Sequence, residues 1–112
     1  MVSVLEIDGR SIELDEDLCL CHLSDWNEQV AEALAAQEGI QLSAQHWQVL
    51  HAVREFYQEF ELSPANRALV KYMAQRFGKE IGNSMHLNSL FQGKPAKLAA
   101  RIAGLPKPAN CC

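Results

Sequence analysis

The chain begins with alternating apolar and polar residues and changes to a helical spacing of apolar residues after Ser24. The alternation runs on both sides of Asp8-Gly9, a dipeptide that strongly favours a two-residue turn between strands. This pattern predicts a β-hairpin spanning residues 2–14. Because an isolated hairpin is only marginally stable in water, we expect it to pack on the helices that follow.

Between Ser24 and Gly104, apolar residues recur at intervals of three and four, which predicts five helices. The second is the longest and is expected to be the central core helix. Caps, prolines and glycines predict the ends. These signals are Ser24 and Gly39 for the first helix, Ser43 for the second, Ser63-Pro64 and Gly78 for the third, Asn83-Ser84 for the fourth, and Pro95 and Gly104 for the fifth.

These elements predict an α+β fold in a single domain of residues 1–112. We expect a small, mainly helical orthogonal bundle of about five helices (24–103), the N-terminal hairpin, and an extended C-terminal arm (104–112). The chain of 112 residues is long enough for one hydrophobic core. The predicted core residues are Trp47, Leu50, Val53, Phe56, Leu69, Met73, Leu87, Leu90 and Leu98.

The C-terminal nine residues contain two prolines and end in Cys111-Cys112. Pro106 and Pro108 each fix φ and remove a backbone donor, so this segment cannot continue the preceding helix. A stiffened, flexibly attached arm would leave its thiols accessible for exchange with sulfur on another protein. The alternative is that terminal cysteines are incidental, since reactivity depends on exposure and local potential.

No stretch approaches the run of about 18 apolar residues that a membrane span requires. The first residues also lack a basic region followed by an apolar run and a cleavage site. We therefore expect a cytoplasmic protein whose cysteines are reduced at rest.

The net charge of −4 conceals two oppositely charged halves. Residues 1–61 sum to −11 and residues 62–112 to +7, with no acidic side chain after Glu80. The basic half is suited to an acidic protein surface, to RNA, or to the acidic half of its own fold. Arg67, Lys71 and Arg76 on the third helix give an alternative function, a nucleic-acid-binding module resembling a helix-turn-helix.

Cysteine and histidine side chains near residue 20 suggest a second alternative, a structural metal site. Cys19, Cys21 and His22 lie close together, but the Cys-x-Cys spacing lacks the gap of common zinc motifs and no second interior pair follows. Partly buried structural cysteines are favoured over ligands here. His46 and His51 are expected to be polar flanking residues of the second helix rather than ligands.

Several short motifs, which are spread over nearly the whole chain, resemble those of the DsrC/TusE family. The most specific is the tail Gly-Leu-Pro-Lys-Pro-x-x-Cys-x, residues 104–112. The other matching segments are His46-Trp47, Val53-Arg54, Phe56-Tyr57, Glu59-Phe60, Ser63-Pro64, Arg67, Leu69-Val70-Lys71 and Gly82-Asn83-Ser84.

The resemblance implies that Cys111, the penultimate residue, carries sulfur as a persulfide. DsrC proteins have a second tail cysteine eleven residues earlier, where this chain has Ala100, so the tail disulfide of those proteins cannot form. The chain therefore resembles the TusE branch, the sulfur carriers. Its last residue, Cys112, replaces a residue that is commonly aliphatic, and whether Cys112 assists or merely accompanies Cys111 is left open.

The resemblance also implies which proteins are the partners and in which sulfur relay the chain takes part. Members of the TusE branch work in the relay that makes 2-thiouridine at tRNA wobble positions, accepting sulfur from a TusBCD-like complex and passing it to an MnmA-like thiouridylase with bound tRNA. We expect a sulfurtransferase of this kind, without a metal or other cofactor. Arg101 and Lys107 are candidate auxiliary residues that would steer the arm or stabilise sulfur anions. Direct contact with tRNA is left open.

Overall fold

The computed structural model describes residues 3–7, 9–16 and 19–106, which form a two-stranded sheet and five α-helices. The predicted α+β class, with an N-terminal hairpin and a five-helix bundle, is confirmed. The extended arm predicted for the last residues lies, from Lys107 onward, outside the described residues. The elements are β1 (Ser3–Ile7), β2 (Arg10–Leu14), α1 (Glu28–Gln37), α2 (Ala44–Phe60), α3 (Asn66–Phe77), α4 (Ser84–Leu90) and α5 (Pro95–Ile102).

The hairpin is antiparallel, with Ser3 opposite Leu14 and Ile7 opposite Arg10. Gly9 has a φ of 79°, as the predicted turn requires. Ile12 and Leu14 are buried and alternate with exposed residues of β2, so one face of the hairpin packs on the core. A single β-bridge from Leu14 to Leu20 extends the described sheet beyond its two strands.

The central helix is α5, which packs against all four other helices. Every residue of α5 except Lys97 is buried. The sequence instead predicts α2 as the central helix, because α2 carries the longest repeat of large apolar residues. Helix α5 has only 8 residues and is rich in alanine, so its apolar repeat is short, while its small side chains let neighbouring helices approach closely.

Most of the predicted core is confirmed. Its buried members are Leu50, Val53, Leu69, Met73, Leu87 and Leu98. Trp47, Phe56 and Leu90 are only partly buried, and of these Trp47 and Leu90 pack against the core. Trp47 also stacks on the exposed His51, and Phe56 packs edge-on against Tyr72.

Three of the predicted helix starts are confirmed, and two are not. Ser43 and Asn83 cap α2 and α4, and Pro95 opens α5. Ser24 instead lies in a short 3-10 helix, Leu23–Asp25, and Asn27 caps α1 by accepting a 2.9 Å hydrogen bond from the Val30 amide. Helix α3 begins at Asn66 without a side-chain cap. Ser63, the cap expected there, has a tertiary partner instead.

His46 is buried, not a polar flanking residue as its sequence position suggests. Its Nδ1 accepts a hydrogen bond from the Ser43 amide at 3.1 Å, completing a capping box, and its Nε2 lies 2.7 Å from the Leu90 carbonyl. A neutral imidazole protonated on Nε2 satisfies both contacts. His46 therefore joins the start of α2 to the end of α4.

Candidate functional site

Helix α5 ends in a complete Schellman motif. The Leu105 amide donates to the Ala100 carbonyl at 2.8 Å and the Gly104 amide donates to the Arg101 carbonyl at 3.1 Å. Gly104 has a φ of 77°, which a residue with a Cβ rarely adopts. The helix stop predicted at Gly104 is thus formed, but Gly104 and Leu105 are buried. The chain beyond α5 is therefore packed on the body as far as Leu105, so the first two residues of the expected arm belong to the body.

Trp26 and Arg54 hold the carbonyls of the last residue of α5 and of the residue that caps it. Trp26 Nε1 donates to the Ile102 carbonyl at 2.9 Å, and Arg54 Nη1 donates to the Ala103 carbonyl at 2.6 Å. The Arg54 guanidinium also stacks over the Trp26 ring, 4.0 Å from its centroid. Carbonyls at a helix C-terminus lack partners within the helix and attract positive charge. Burial lowers the pKa of Arg54 from its ordinary value, but an arginine stays charged at neutral pH.

Ser63 makes a third contact of the same kind. Its side chain is buried, and its Oγ donates to the Pro106 carbonyl at 2.6 Å. Pro106 itself is exposed and is the last described residue. Trp26, Arg54 and Ser63, which we term the C-terminal clamp, come from three separate segments and fix the backbone of residues 102–106. The clamp thereby fixes the position of Pro106, the last described residue.

Gly104 is also a point of close approach. A Cβ built on Gly104 would lie 2.5 Å from Trp26 Cδ1 and 2.9 Å from a methyl carbon of Leu20. Both distances are shorter than real contacts of a Cβ, so a side chain here would displace Trp26 from the clamp. Glycine is required at this position for conformation and for space.

Arg101, a predicted auxiliary residue, lies on the other side of α5 and is buried. It forms an ion pair with Glu38, and its Nη2 donates to the Gln37 side chain at 2.7 Å. Burial lowers the pKa of Arg101, and the neighbouring Cys19 acts in the opposite direction. These contacts join α5 to the end of α1. Ala100, at the position of the second tail cysteine of DsrC proteins, is buried beside Arg101.

The two interior cysteines have unlike surroundings. Cys19 is buried, and its amide donates to the Asp15 carboxylate at 3.0 Å. Cys21 is exposed, and its pKa is raised by partial desolvation and by the carboxylates of Glu13, Asp15 and Asp25. Such surroundings disfavour the thiolate. Among residues 3–7, 9–16 and 19–106, no three potential metal ligands cluster together.

Two of the three basic residues of α3 project freely into solvent. Arg67 and Lys71 are exposed and line a shallow groove of about 250 Å³ with Val70. Arg76 instead pairs with Glu55 and donates to the Tyr72 hydroxyl at 3.2 Å. The connection between α2 and α3 is five residues long, not the three-residue turn of the helix-turn-helix interpretation. Arg76–Glu55 and Arg101–Glu38 each join the basic half of the chain to the acidic half.

Cys111, Cys112 and Lys107 lie outside the described residues, so the predicted thiol site is located only through the position of Pro106. The residues that sequence reasoning missed are those of the C-terminal clamp. Arg54 and Ser63 fall within segments that carry the family resemblance, but nothing local indicates that they contact residues 103 and 106. No helix in the described part of the chain is long and apolar enough to cross a membrane.

Comparison with protein families gives a match of residues 6–112 to the model described as "DsrC like protein". Two curated relatives are each named "Sulfurtransferase TusE". The protein of Yersinia pestis is 54% identical over 108 residues, and that of Salmonella choleraesuis (strain SC-B67) is 53% identical over 108 residues. Each alignment covers 96% of this chain and 99% of the relative.

Two solved structures share the fold. The NMR structure of Allochromatium vinosum DsrC superposes with a TM-score of 0.90 at 43% identity, covering all of both chains. The crystal structure of the oxidized gamma-subunit of the dissimilatory sulfite reductase (DsrC) from Archaeoglobus fulgidus gives a TM-score of 0.84 at 36% identity, covering 98% of this chain and all of the other.

Proposed function

This chain belongs to the DsrC-like protein family, and from that premise we propose that it is a sulfurtransferase that carries sulfur as a persulfide on Cys111. Curated relatives that match almost end to end are named sulfurtransferases, which supports the transferase activity. The single structural observation that supports a carrier is the C-terminal clamp. It fixes the departure point of a cysteine-bearing end while the body provides a rigid base.

Covalent geometry sets the working distance of the proposed carrier. Cys111 is five residues beyond Pro106. An extended chain spans at most about 3.6 Å per residue, so Cys111 lies within about 18 Å of Pro106. A sulfur donor or acceptor must bring its own reacting atom inside this radius. We propose that residues 107–112 act as the delivery arm.

The proposed chemistry consists of two exchanges at sulfur. The Cys111 thiolate attacks the outer sulfur of a donor persulfide, the donor S–S bond breaks, and the donor cysteine leaves as a thiolate. The protonated outer sulfur is now bound to Cys111. An acceptor cysteine thiolate then attacks that sulfur, and Cys111 leaves as a thiolate. One sulfur atom moves in each step, and no external oxidant or reductant is consumed.

Basic residues near the proposed nucleophile support the thiolate form. No acidic side chain occurs after Glu80, and Lys107 is four residues from Cys111. A nearby positive charge favours thiolate and persulfide anions. We propose Lys107 as the auxiliary cation. Arg101 is engaged by Glu38 and Gln37, so we assign it to fixing α5 rather than to steering the arm.

We further propose that the relay is the one that forms 2-thiouridine at the tRNA wobble position in the cytoplasm. The donor is then a TusBCD-like complex and the acceptor an MnmA-like thiouridylase with bound tRNA. The names of the curated relatives support sulfur transfer, and the relay, its donor and its acceptor follow from the resemblance of the sequence to the TusE branch. The pairing of Arg76 with Glu55 leaves α3 with less free positive charge than the nucleic-acid-binding alternative requires.

The test is intact-mass measurement after incubation with glutathione persulfide, followed by peptide mapping. The wild-type protein should gain one sulfur atom on Cys111, and Cys111→Ser should gain none there, because a hydroxyl cannot form the persulfide. Cys19→Ser and Cys21→Ser should retain the reaction, and Cys112→Ser should reduce it only modestly. Full uptake by Cys111→Ser, with sulfur on Cys112 or Cys19, would refute the carrier assignment.

A second assay tests the length of the arm separately from the reactivity of Cys111. Deleting Pro108 and Ala109 shortens the arm by two residues but retains Cys111 as a residue of the protein. Transfer to the acceptor protein, followed as thiolated tRNA, should fall more than the reaction with glutathione persulfide, because only the protein reaction requires reach. Equal losses in both reactions would show that the arm does not act as a spacer.

A further inference from the structure

Two large apolar side chains are exposed at the end of α2, beside the point where the chain leaves the body. Phe60 is 49% exposed and Leu62 is 53% exposed. Leu62 directly precedes Ser63, whose hydroxyl holds the Pro106 carbonyl at 2.6 Å. In the described chain, the other large apolar residues exposed to this degree are Val4 and Met85, on β1 and α4. Two of these four residues thus lie together at the end of α2, next to the serine that holds the last described residue.

This apolar pair stands on a rigid support. The Phe60 ring packs on Phe56 at a centroid distance of 4.5 Å, and Phe56 packs edge-on against Tyr72 at 5.1 Å. Glu61 ends α2 in the left-handed conformation, with a φ of 57° and its amide bonded to the Tyr57 carbonyl at 2.7 Å. A residue with a Cβ is held there at a cost, and such conformations are often retained where a particular surface shape is used.

A shallow groove adjoins the same helix end. It has a volume of about 280 Å³ and is lined by Arg54, Tyr57, Gln58, Glu61 and Leu105. Arg54 belongs to the C-terminal clamp, and Leu105 is the residue before Pro106, so the groove opens beside the base of the arm. We term Phe60, Leu62 and this groove the exit surface. Glu61, which lies between Phe60 and Leu62 in sequence, lines the groove, and exposed aromatic and aliphatic side chains are typical of protein-docking sites.

The short arm makes contact with this surface unavoidable for a protein partner. Cys111 reaches no farther than about 18 Å from Pro106, and a reacting cysteine recessed in a partner uses part of that distance. A partner that exchanges sulfur with Cys111 must therefore rest against the body around Pro106. Leu62 is adjacent in sequence to the residue that holds Pro106, so it falls inside the area that such a partner covers.

We propose that the exit surface is the docking site of the sulfur-donor protein, which seats its persulfide-bearing cysteine within reach of Cys111. The inference rests on the proposed function and specifies the face and the partner chemistry. The partner carries an apolar patch that covers Phe60 and Leu62. Its rim is basic, because the exposed side chains flanking this pair, Glu59 and Glu61, are carboxylates. Complementary charge of this kind accelerates encounter and makes it dependent on salt.

The main test compares Leu62→Glu with the matched control Met85→Glu, since Met85 is 83% exposed in the first turn of α4. The probe is a purified TusBCD-like complex loaded with persulfide. Leu62→Glu should raise the Kd for this complex, measured by calorimetry, by about tenfold or more, and should slow transfer to a similar degree. Met85→Glu should leave both unchanged. Neither variant should alter the uptake of sulfur from glutathione persulfide.

Two further measurements keep the proposal open to refutation if Leu62→Glu does not fold. Phe60→Ala should weaken binding in the same direction, and Glu61→Lys should slow association most at low salt. Circular dichroism and urea unfolding establish that each variant is native before binding is measured.

The outcomes separate this inference from the proposed function. Wild-type affinity and transfer in both Leu62→Glu and Phe60→Ala would overturn the docking assignment. An equal loss in Met85→Glu would overturn it as well. Failure of wild-type Cys111 to take up sulfur from glutathione persulfide would instead refute the carrier function, whatever the binding results.

Discussion

Two segments of the chain differ in their relation to its cysteines. Residues 19–21 contain Cys19 and Cys21, whereas residues 102–106 precede the segment that contains Cys111 and Cys112. Cys19 and Cys21 follow the hairpin, and the Cys21 amide donates to the Glu13 carbonyl at 3.0 Å, so their backbone is tied to β2. The second segment is fixed by side chains of the C-terminal clamp and ends at the exposed Pro106. Residues 19–21 thus belong to the described body of the domain together with their cysteines. Residues 102–106 are the described residues that come before the segment with Cys111 and Cys112.

The electrostatic surroundings differ in the same sense. Partial desolvation and the carboxylates of Glu13, Asp15 and Asp25 raise the pKa of Cys21, while the sequence after Glu80 contains only basic charged side chains. Only a thiolate reacts efficiently with a persulfide. The number of cysteines does not separate these two pairs. The charged residues near them in sequence do, and these can be changed by substitution.

The largest effect is expected from Gly104→Ala. This substitution places a Cβ in residues 102–106 at the point where they lie closest to Trp26. The substitution introduces left-handed strain of about 1–2 kcal/mol and a clash with Trp26 of about 1–3 kcal/mol. We expect the free energy of unfolding, measured with urea, to fall by about 2–5 kcal/mol, a large part of the stability of a small domain.

Gly39→Ala provides the matched control for this prediction. Gly39 has a φ of 72°, but a Cβ there would meet nothing within 4 Å. Its loss should therefore be limited to the strain of about 1–2 kcal/mol. Equal losses for the two variants would show that Gly104 is needed for its conformation alone and that the contact with Trp26 is unimportant.

Arg54→Ala should have an intermediate effect because it removes one donor from the clamp and leaves the Ala103 carbonyl without that partner. A hydrogen bond from a charged group contributes about 1.5–3 kcal/mol, and we expect a loss of unfolding free energy in this range. Transfer of sulfur from a protein donor should decline further than reaction with glutathione persulfide, since the clamp positions the arm.

The control for Arg54→Ala is Arg67→Ala, which removes the same charge from an exposed site on α3. Its effect on stability should stay within about 0.5 kcal/mol. A stable Arg54→Ala protein with normal transfer from the protein donor would show that the clamp does not position the arm.

Local signals in the sequence predict much of this fold. The Asp8-Gly9 turn, the Ser43 and Asn83 caps and the start at Pro95 depend on neighbours within about four residues, and each is formed. The errors occur where a distant partner determines the outcome. Ser63 has the sequence of a helix cap, yet its hydroxyl contacts Pro106, which is 43 residues away.

The candidate site was less predictable for the same reason. The tail motif indicates Cys111, but the contact of Trp26 with the Ile102 carbonyl joins residues 76 positions apart. Gly104 shows the limit clearly: its role as a helix stop is local, whereas its close approach to Trp26 depends on how the first and last helices pack. Arg101 appears in the sequence as one of several free basic residues, and only packing reveals its partner Glu38.

The smallest expected effect concerns the intrinsic reactivity of the two kinds of cysteine and requires no change in the fold. Each single-cysteine protein, retaining either Cys21 or Cys111 with the other three cysteines replaced by serine, would be alkylated with iodoacetamide over a range of pH. A raised pKa leaves less thiolate at a given pH, so the rate profile of Cys21 should be shifted to higher pH than that of a free cysteine derivative. Cys111, with Lys107 nearby and no acidic side chain in its segment, should react severalfold faster than Cys21 near neutral pH.

Neutralising the carboxylates identifies the cause of that difference. Glu13→Gln combined with Asp25→Asn should lower the pKa of Cys21 and move its rate profile towards that of the free derivative, because two of the charges that oppose the thiolate are gone. Added salt should act in the same direction by screening the carboxylates around this exposed thiol. If Cys21 reacts as fast as Cys111 and responds neither to these substitutions nor to salt, electrostatics would have to be removed from the argument for Cys111 as the proposed sulfur carrier.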